Sequence, residues 1–131
     1  MLRETSSAAL QSAMKGTQQR LEAIADNLAN AETPGHERLQ VDFEDALQAA
    51  IRREHSQGTG TTVGRESEGP VDRVQARVTR RPARGGDATT ADPEGDLTAL
   101  GETTLRFDAL ARALTKKLRM LRTAIAGGGQ G

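Results

Sequence analysis

The chain has no cysteine, no tryptophan and no tyrosine, and only two phenylalanines among 131 residues. Without cysteine there can be no disulfide and no thiolate metal site. Without Tyr or Trp, and with both Phe in helical patterns, there is no platform on which single-stranded bases could stack. Net charge is missing too: 18 basic and 18 acidic side chains cancel, so no overall field draws the protein to nucleic acid or to an anionic membrane. No apolar run approaches the ~20 residues needed to cross a bilayer. Met1 to Gly16 lacks the apolar stretch and small-residue cleavage site of a secretory signal, so any export is expected to leave the N-terminus uncleaved.

Hydrophobic residues are scarce as well. Leu, Ile, Val and Phe number 23, below the ~20% at which a chain readily builds a core. Their placement is informative. Nineteen of them fall in 2–51 or 97–125, and the stretch 52–96 holds only Val63, Val71, Val74 and Val78. The length allows one domain at most. This distribution divides it into an N-terminal helical region (1–53), a Gly- and Arg-rich insertion (54–91) and a long C-terminal helix with a glycine tail (92–131).

What the chain does have is helical periodicity. Thr5, Ser6 and Ser7 offer N-cap candidates, after which Leu10, Met14, Thr17, Leu21, Ile24 and Leu28 alternate steps of four and three. That heptad spacing keeps one seam toward a partner helix. Thr33-Pro34-Gly35 should stop the helix, because proline restricts its predecessor and glycine turns cheaply. A shorter helix is expected from Asp42 as N-cap, with Phe43, Ala46, Leu47, Ala50 and Ile51 on one face.

Between Glu54 and Ala91, glycines, prolines, threonines and arginines break any helical period. The composition suits a flexible surface insertion, although the alternation of Val74, Ala76 and Val78 leaves room for one short strand. Asp92-Pro93-Glu94 then supplies an N-cap, an N1 proline and a first-turn acid. Leu97, Leu100, Thr104, Phe107, Ala111, Leu114, Leu118, Leu121 and Ile125 follow in unbroken heptad steps, and Gly127-Gly128-Gly129 closes the helix. The expected fold is mainly α, with the long terminal helices packed antiparallel as a coiled-coil-like pair, a short third helix and a flexible middle. The last helix exceeds the first, so part of its stripe should stay uncovered in a monomer.

Chemistry finds little foothold. His36 and His55 lie near breakers and far apart, with no helical pairing to carboxylates, and read as solvated loop residues. The serines lack a nucleophile-elbow setting and the glycines lack a phosphate-loop setting. No catalysis and no cofactor are expected. Arg73, Arg77, Arg80, Arg81 and Arg84 form one basic cluster, suited to phosphates or to acidic neighbours in an assembly. Asn27 and Asn30, one turn apart beside the seam, read two ways. A buried amide there would fix helix register, whereas the alternative has Asn30 cap the helix end and Asn27 face water.

The stretch Ile24 to Gly35, IADNLANAETPG, resembles the A-N-N-x-A-N-x-x-T-P-G signature of flagellar basal body rod proteins. Ala25, Asn27, Ala29, Asn30, Thr33, Pro34 and Gly35 stand at matching positions. VDFEDAL (41–47) is similar to the family's continuation, and LRFDALARALTKKLRMLRTAI (105–125) to its C-terminal ending. Asp26 stands where the family usually has Asn, His36 where it has an aromatic, and Ala91 to Glu94 replace a Gly-Asn-Asn-x-Val-Asp-Leu motif.

The resemblance implies a structural subunit of the periplasmic proximal rod, exported through the flagellar type III apparatus. It implies self-association into a helical tube that transmits torque, beside FlgC-like subunits and a FliE-like adaptor on the membrane ring, with no nucleic acid and no membrane insertion. The assembly interface is then expected at Leu10, Met14, Leu21, Ile24, Leu28, Leu97, Leu100, Phe107, Leu114, Leu118, Leu121 and Ile125. Two other uses of the same features remain open: a small helical adaptor or secreted effector with a different partner, and a basic-arm nucleic-acid binder.

Overall fold

A computed structural model describes residues 2–57, 71, 73–81 and 91–129. Five elements follow in order: α1 (Leu2–Ala29), β1 (Arg38–Asp42), α2 (Glu44–Gln57), β2 (Arg77–Arg81) and α3 (Pro93–Gly127). The fold is mainly helical, with long terminal helices and a two-stranded sheet between them. α3 packs along α1. Asn27 and Asn30 near the end of α1 share a small cleft with Asp96 near the start of α3, and Met14 lies level with Phe107 and Leu114. The pair is therefore antiparallel.

α1 begins at Leu2, so Thr5, Ser6 and Ser7 lie inside it and do not cap it. It ends at Ala29, short of the Thr33-Pro34-Gly35 stop. At this end the Asp26 carbonyl accepts both the Asn30 backbone N–H at 3.1 Å and the Asn30 Nδ2 at 2.9 Å. Tighter turns follow, from Ala31 N–H to Leu28 and from Thr33 N–H to Asn30. Gly35 completes the reversal at φ +75°, a region that L side chains rarely enter.

β1 was not apparent from the sequence, because Leu39 and Val41 alternate over too few residues to register as a strand. It pairs antiparallel with β2, Val41 opposite Val78 and Asp42 opposite Arg77. The short strand suggested by Val74, Ala76 and Val78 thus exists, shifted toward the arginines. Asp42 belongs to this ladder, so it is not the cap of α2. The first helical bond of α2 runs from Leu47 N–H to the Phe43 carbonyl, and the Glu44 carboxylate accepts from the Phe43 N–H at 3.3 Å.

The core forms where these elements meet α1. Ala23, Val41 and Phe43 are buried together, with Ala13, Leu39, Leu47 and Ala76 packed around them. The apolar-poor middle contributes an anchor of its own: Val71 is fully buried, and its carbonyl accepts the Ser12 hydroxyl at 2.8 Å. α2 runs to Gln57, past the point where the sequence suggested the insertion begins. The glycines between 58 and 69 lie outside the described residues.

α3 starts as its sequence predicts. The Asp92 carboxylate accepts from Gly95 N–H at 3.0 Å, Pro93 opens the helix, and the Gly128 N–H closes it on Ala124.

Candidate assembly surface

Heptad spacing gives α3 a choice of second row beside Leu100, Phe107, Leu114 and Leu121. Those four residues are half-buried. The companion row that α1 covers is Asp96, Thr103, Leu110 and Lys117, the first two buried and the others half-buried. The apolar spacing of the sequence puts the companion row one residue later, at Leu97, Thr104, Ala111, Leu118 and Ile125. The residues of that later row at its two ends remain open: Leu97 is 59% exposed, Leu118 53% and Ile125 80%. One side of the leucine stripe is thus covered within the monomer and the other is not.

On α1 the matching seam behaves as a continuous stripe. Ile24 is buried, and Leu10, Met14, Leu21 and Leu28 are half-buried. Thr17 sits among them at 3% exposure, its hydroxyl satisfied by the Ala13 carbonyl at 2.7 Å.

An ion pair decides why Asp96 occupies an apolar row. Arg38 of β1 meets both Asp96 oxygens, one contact at 3.1 Å, and Asp96 is only 2% exposed. The forked guanidinium satisfies a carboxylate that could not otherwise be buried. Asp96 thereby ties the start of α3 to the strand that follows α1.

The family-like residues separate into two groups. Asn27 is 5% exposed, and its side-chain amide pairs with the Leu39 backbone in both directions at 2.8 Å. It takes the buried role, while Asn30 takes the capping role, so each of the two sequence readings describes one of the asparagines. Ala25, Ala29, Thr33, Pro34 and Gly35 are exposed along one edge. His36 is half-buried rather than solvated, its Nε2 3.5 Å from an Asp26 oxygen; His55 is exposed, as read.

A second cluster fixes the opposite flank of α1. Arg20 donates to the Val41 carbonyl through Nε and Nη2, pairs with Glu44, and lies 5.0 Å from the centre of the Phe43 ring. Its hydrogen bonds hold the Glu44 carboxyl down at about 2, and Glu44 in turn raises Arg20 further. Gly16 lets Phe43 reach the helix, because a Cβ there would overlap the ring. Gly16, Arg20, Arg38 and Asp96 stand outside the apolar patterns of the sequence. For Gly16 a signal existed, a glycine inside a strongly helical pattern. The charged residues had none, since their partners lie 24 and 58 positions away.

The basic cluster lies on an open face. Arg73, Arg77, Arg80 and Arg81 are exposed, with Arg84 outside the described residues. Among the described residues no three His, Cys, Asp or Glu side chains gather to hold a metal, and no helix is long and apolar enough to cross a membrane.

Residues 9–36, most of α1 and its closing turn, match the family described as flagella basal body rod protein. Over 127 aligned residues the chain is 27% identical to the flagellar basal body rod protein FlgB of Salmonella typhimurium, covering 90% of this chain and 91% of that protein. The FlgB proteins of Yersinia enterocolitica and Escherichia coli are 25% and 24% identical with the same coverage. The matched segment contains the amide that pairs with Leu39 and the turn at Gly35, and the similarity runs through nearly the whole length. The chain is therefore similar to the flagellar basal body rod protein FlgB across nine-tenths of its residues.

Proposed function

We propose that this chain is a structural, non-catalytic subunit of the bacterial flagellar basal body rod. The supporting observation is the half-covered stripe of α3, where Leu97, Leu118 and Ile125 stand open beside a row that α1 covers. Burying one such side chain stabilises a contact by about 1.5–3 kcal/mol, and a heterologous contact of this kind propagates into an open helical array. In this reading the terminal regions 1–53 and 92–131 pack into the tube that transmits torque, and 54–91 is an appended surface segment. Leu10, Met14, Leu21, Ile24, Leu28, Leu100, Phe107, Leu114 and Leu121 hold the paired helices in register, and the open flank meets neighbouring subunits. Those neighbours include further copies, FlgC-like subunits and a FliE-like adaptor, reached after type III export.

The test is complementation of a rod-deficient strain, scored by swimming. Leu118→Asp with Ile125→Asp alters only exposed positions, so the purified variant should keep its helical circular dichroism and yet fail to restore motility. A motile double variant would sink the proposal.

A further inference from the structure

The small sheet has one closed edge and one open edge. Both backbone groups of Leu39 are taken by Asn27 at 2.8 Å, and the Val41 carbonyl accepts from Arg20 at 2.8 Å. Leu39 and Val41 therefore turn their backbone away from β2. In an antiparallel ladder, facing residues alternate between pairs that exchange hydrogen bonds and pairs whose polar groups point apart. Leu39 faces Arg80 and Val41 faces Val78, so Val78 and Arg80 aim their N–H and C=O groups outward, away from β1. Among the described residues no third strand meets them, and every residue of β2 is exposed. The side chains on this edge are of one sign. Arg73, Arg77, Arg80 and Arg81 form no ion pair among the described residues. Asp42 faces Arg77 across the ladder, but Arg80 and Arg81 face Leu39 and Arg38. Val78, on the same face as the buried Val41, is 54% exposed.

We propose that this edge receives an extended acidic segment of a different protein, which adds to the sheet as a third strand. Its backbone pairs with the outward groups of Val78 and Arg80. Carboxylates on one of its faces lie beside Arg77 and Arg81, and an apolar residue on the other face covers Val78. A second copy of β2 does not suit the edge, because arginine would stand beside arginine. Charge on an open edge keeps like strands off and admits the opposite sign. Nucleic acid or an anionic lipid surface would satisfy the arginines but offers no backbone to the row at Val78 and Arg80. The edge belongs to neither terminal helix, so the proposal stands apart from the rod reading.

Amide hydrogen exchange of the full chain, read by NMR, tests this. The probe is a blocked peptide of about ten residues alternating glutamate and valine. At about ten times its dissociation constant it should slow exchange at the Val78 and Arg80 N–H groups by about tenfold. Thr79, whose N–H turns toward β1, should change little, and the protection should weaken at about 1 M salt. The same peptide with lysine for glutamate, or with N-methylated amides, should protect neither group. Val78→Pro removes an outward N–H and no ladder bond, so a variant that keeps its helical circular dichroism should lose the peptide. Arg77→Gln/Arg80→Gln/Arg81→Gln changes only exposed side chains and should lose it too, which carries the test if the proline variant unfolds. Four results overturn the inference: Val78 and Arg80 amides already as protected as Thr79 in the free chain; no protection by the acidic peptide; equal protection by the N-methylated peptide; or capture by duplex DNA or phosphatidylglycerol vesicles in preference to the peptide.

Discussion

The carboxamide of Asn27 donates to the Leu39 carbonyl and accepts from the Leu39 N–H, both at 2.8 Å. A helix side chain thus takes the place of a neighbouring strand at the middle of β1, where Leu39 faces Arg80 on its other edge. Asn27→Ala leaves a donor and an acceptor of β1 without partners, at about 1–3 kcal/mol. Asn27→Asp keeps the acceptor and loses the donor. Urea unfolding should place both variants below wild type, with Asn27→Asp no more stable than Asn27→Ala at neutral pH because its carboxylate is buried opposite the Leu39 carbonyl; equal stability of all three would show that the pairing contributes nothing.

Arg38 and Asp96 give a second, larger expectation. Arg38→Ala strands a buried carboxylate and should destabilise the chain by about 3–5 kcal/mol. The double change Arg38→Met/Asp96→Leu removes both charges and should recover most of that loss. Chemical denaturation of the single and double variants reads the difference directly. A single variant as stable as wild type would mean that Asp96 finds another partner.

Gly16→Ala tests close packing against intrinsic helix propensity. Alanine favours a helix interior by about 1 kcal/mol over glycine, but its Cβ overlaps the Phe43 ring. Overpacking of this sort typically costs about 1–3 kcal/mol, so the net effect should be a loss. Pairing it with Phe43→Leu should reverse the sign, measured as a rise in Tm relative to Phe43→Leu alone.

The Arg20–Glu44 pair predicts a pH dependence with a definite sign. Glu44 titrates at about 2 when folded against an ordinary 4.5. Its contribution is therefore present in full above pH 4.5 and fades as pH falls toward 2. The Glu44 side chain is half exposed, so the effect should be about 1 kcal/mol or less. Glu44→Gln should unfold below wild type at pH 7 and together with it near pH 2. A gap that persists unchanged across that range would contradict the assignment.

Much of this architecture is legible one residue at a time. The start of α3 at Asp92-Pro93, its end at the glycines, the reversal at Gly35 and the apolar stripes all depend on neighbours within a few positions. Local hydrogen bonds and the 3.6-residue period are sufficient to dictate them. The same locality explains the misplaced caps: a threonine-serine run and an aspartate are good N-caps in isolation, and α1 and β1 simply extend through them.

Where a feature depends on groups far apart in the chain, only the folded structure decided it. A heptad offers two candidate companion rows, and which one α1 covers follows from Arg38, 58 residues before Asp96, anchoring the carboxylate inward. β1 is too short to declare itself and exists because β2, Asn27 and Arg20 take up its backbone groups. Composition and periodicity alone therefore establish a helical chain with an unfinished apolar stripe. Which side of that stripe stays open is set by long-range charge pairing and burial, which no local pattern carries.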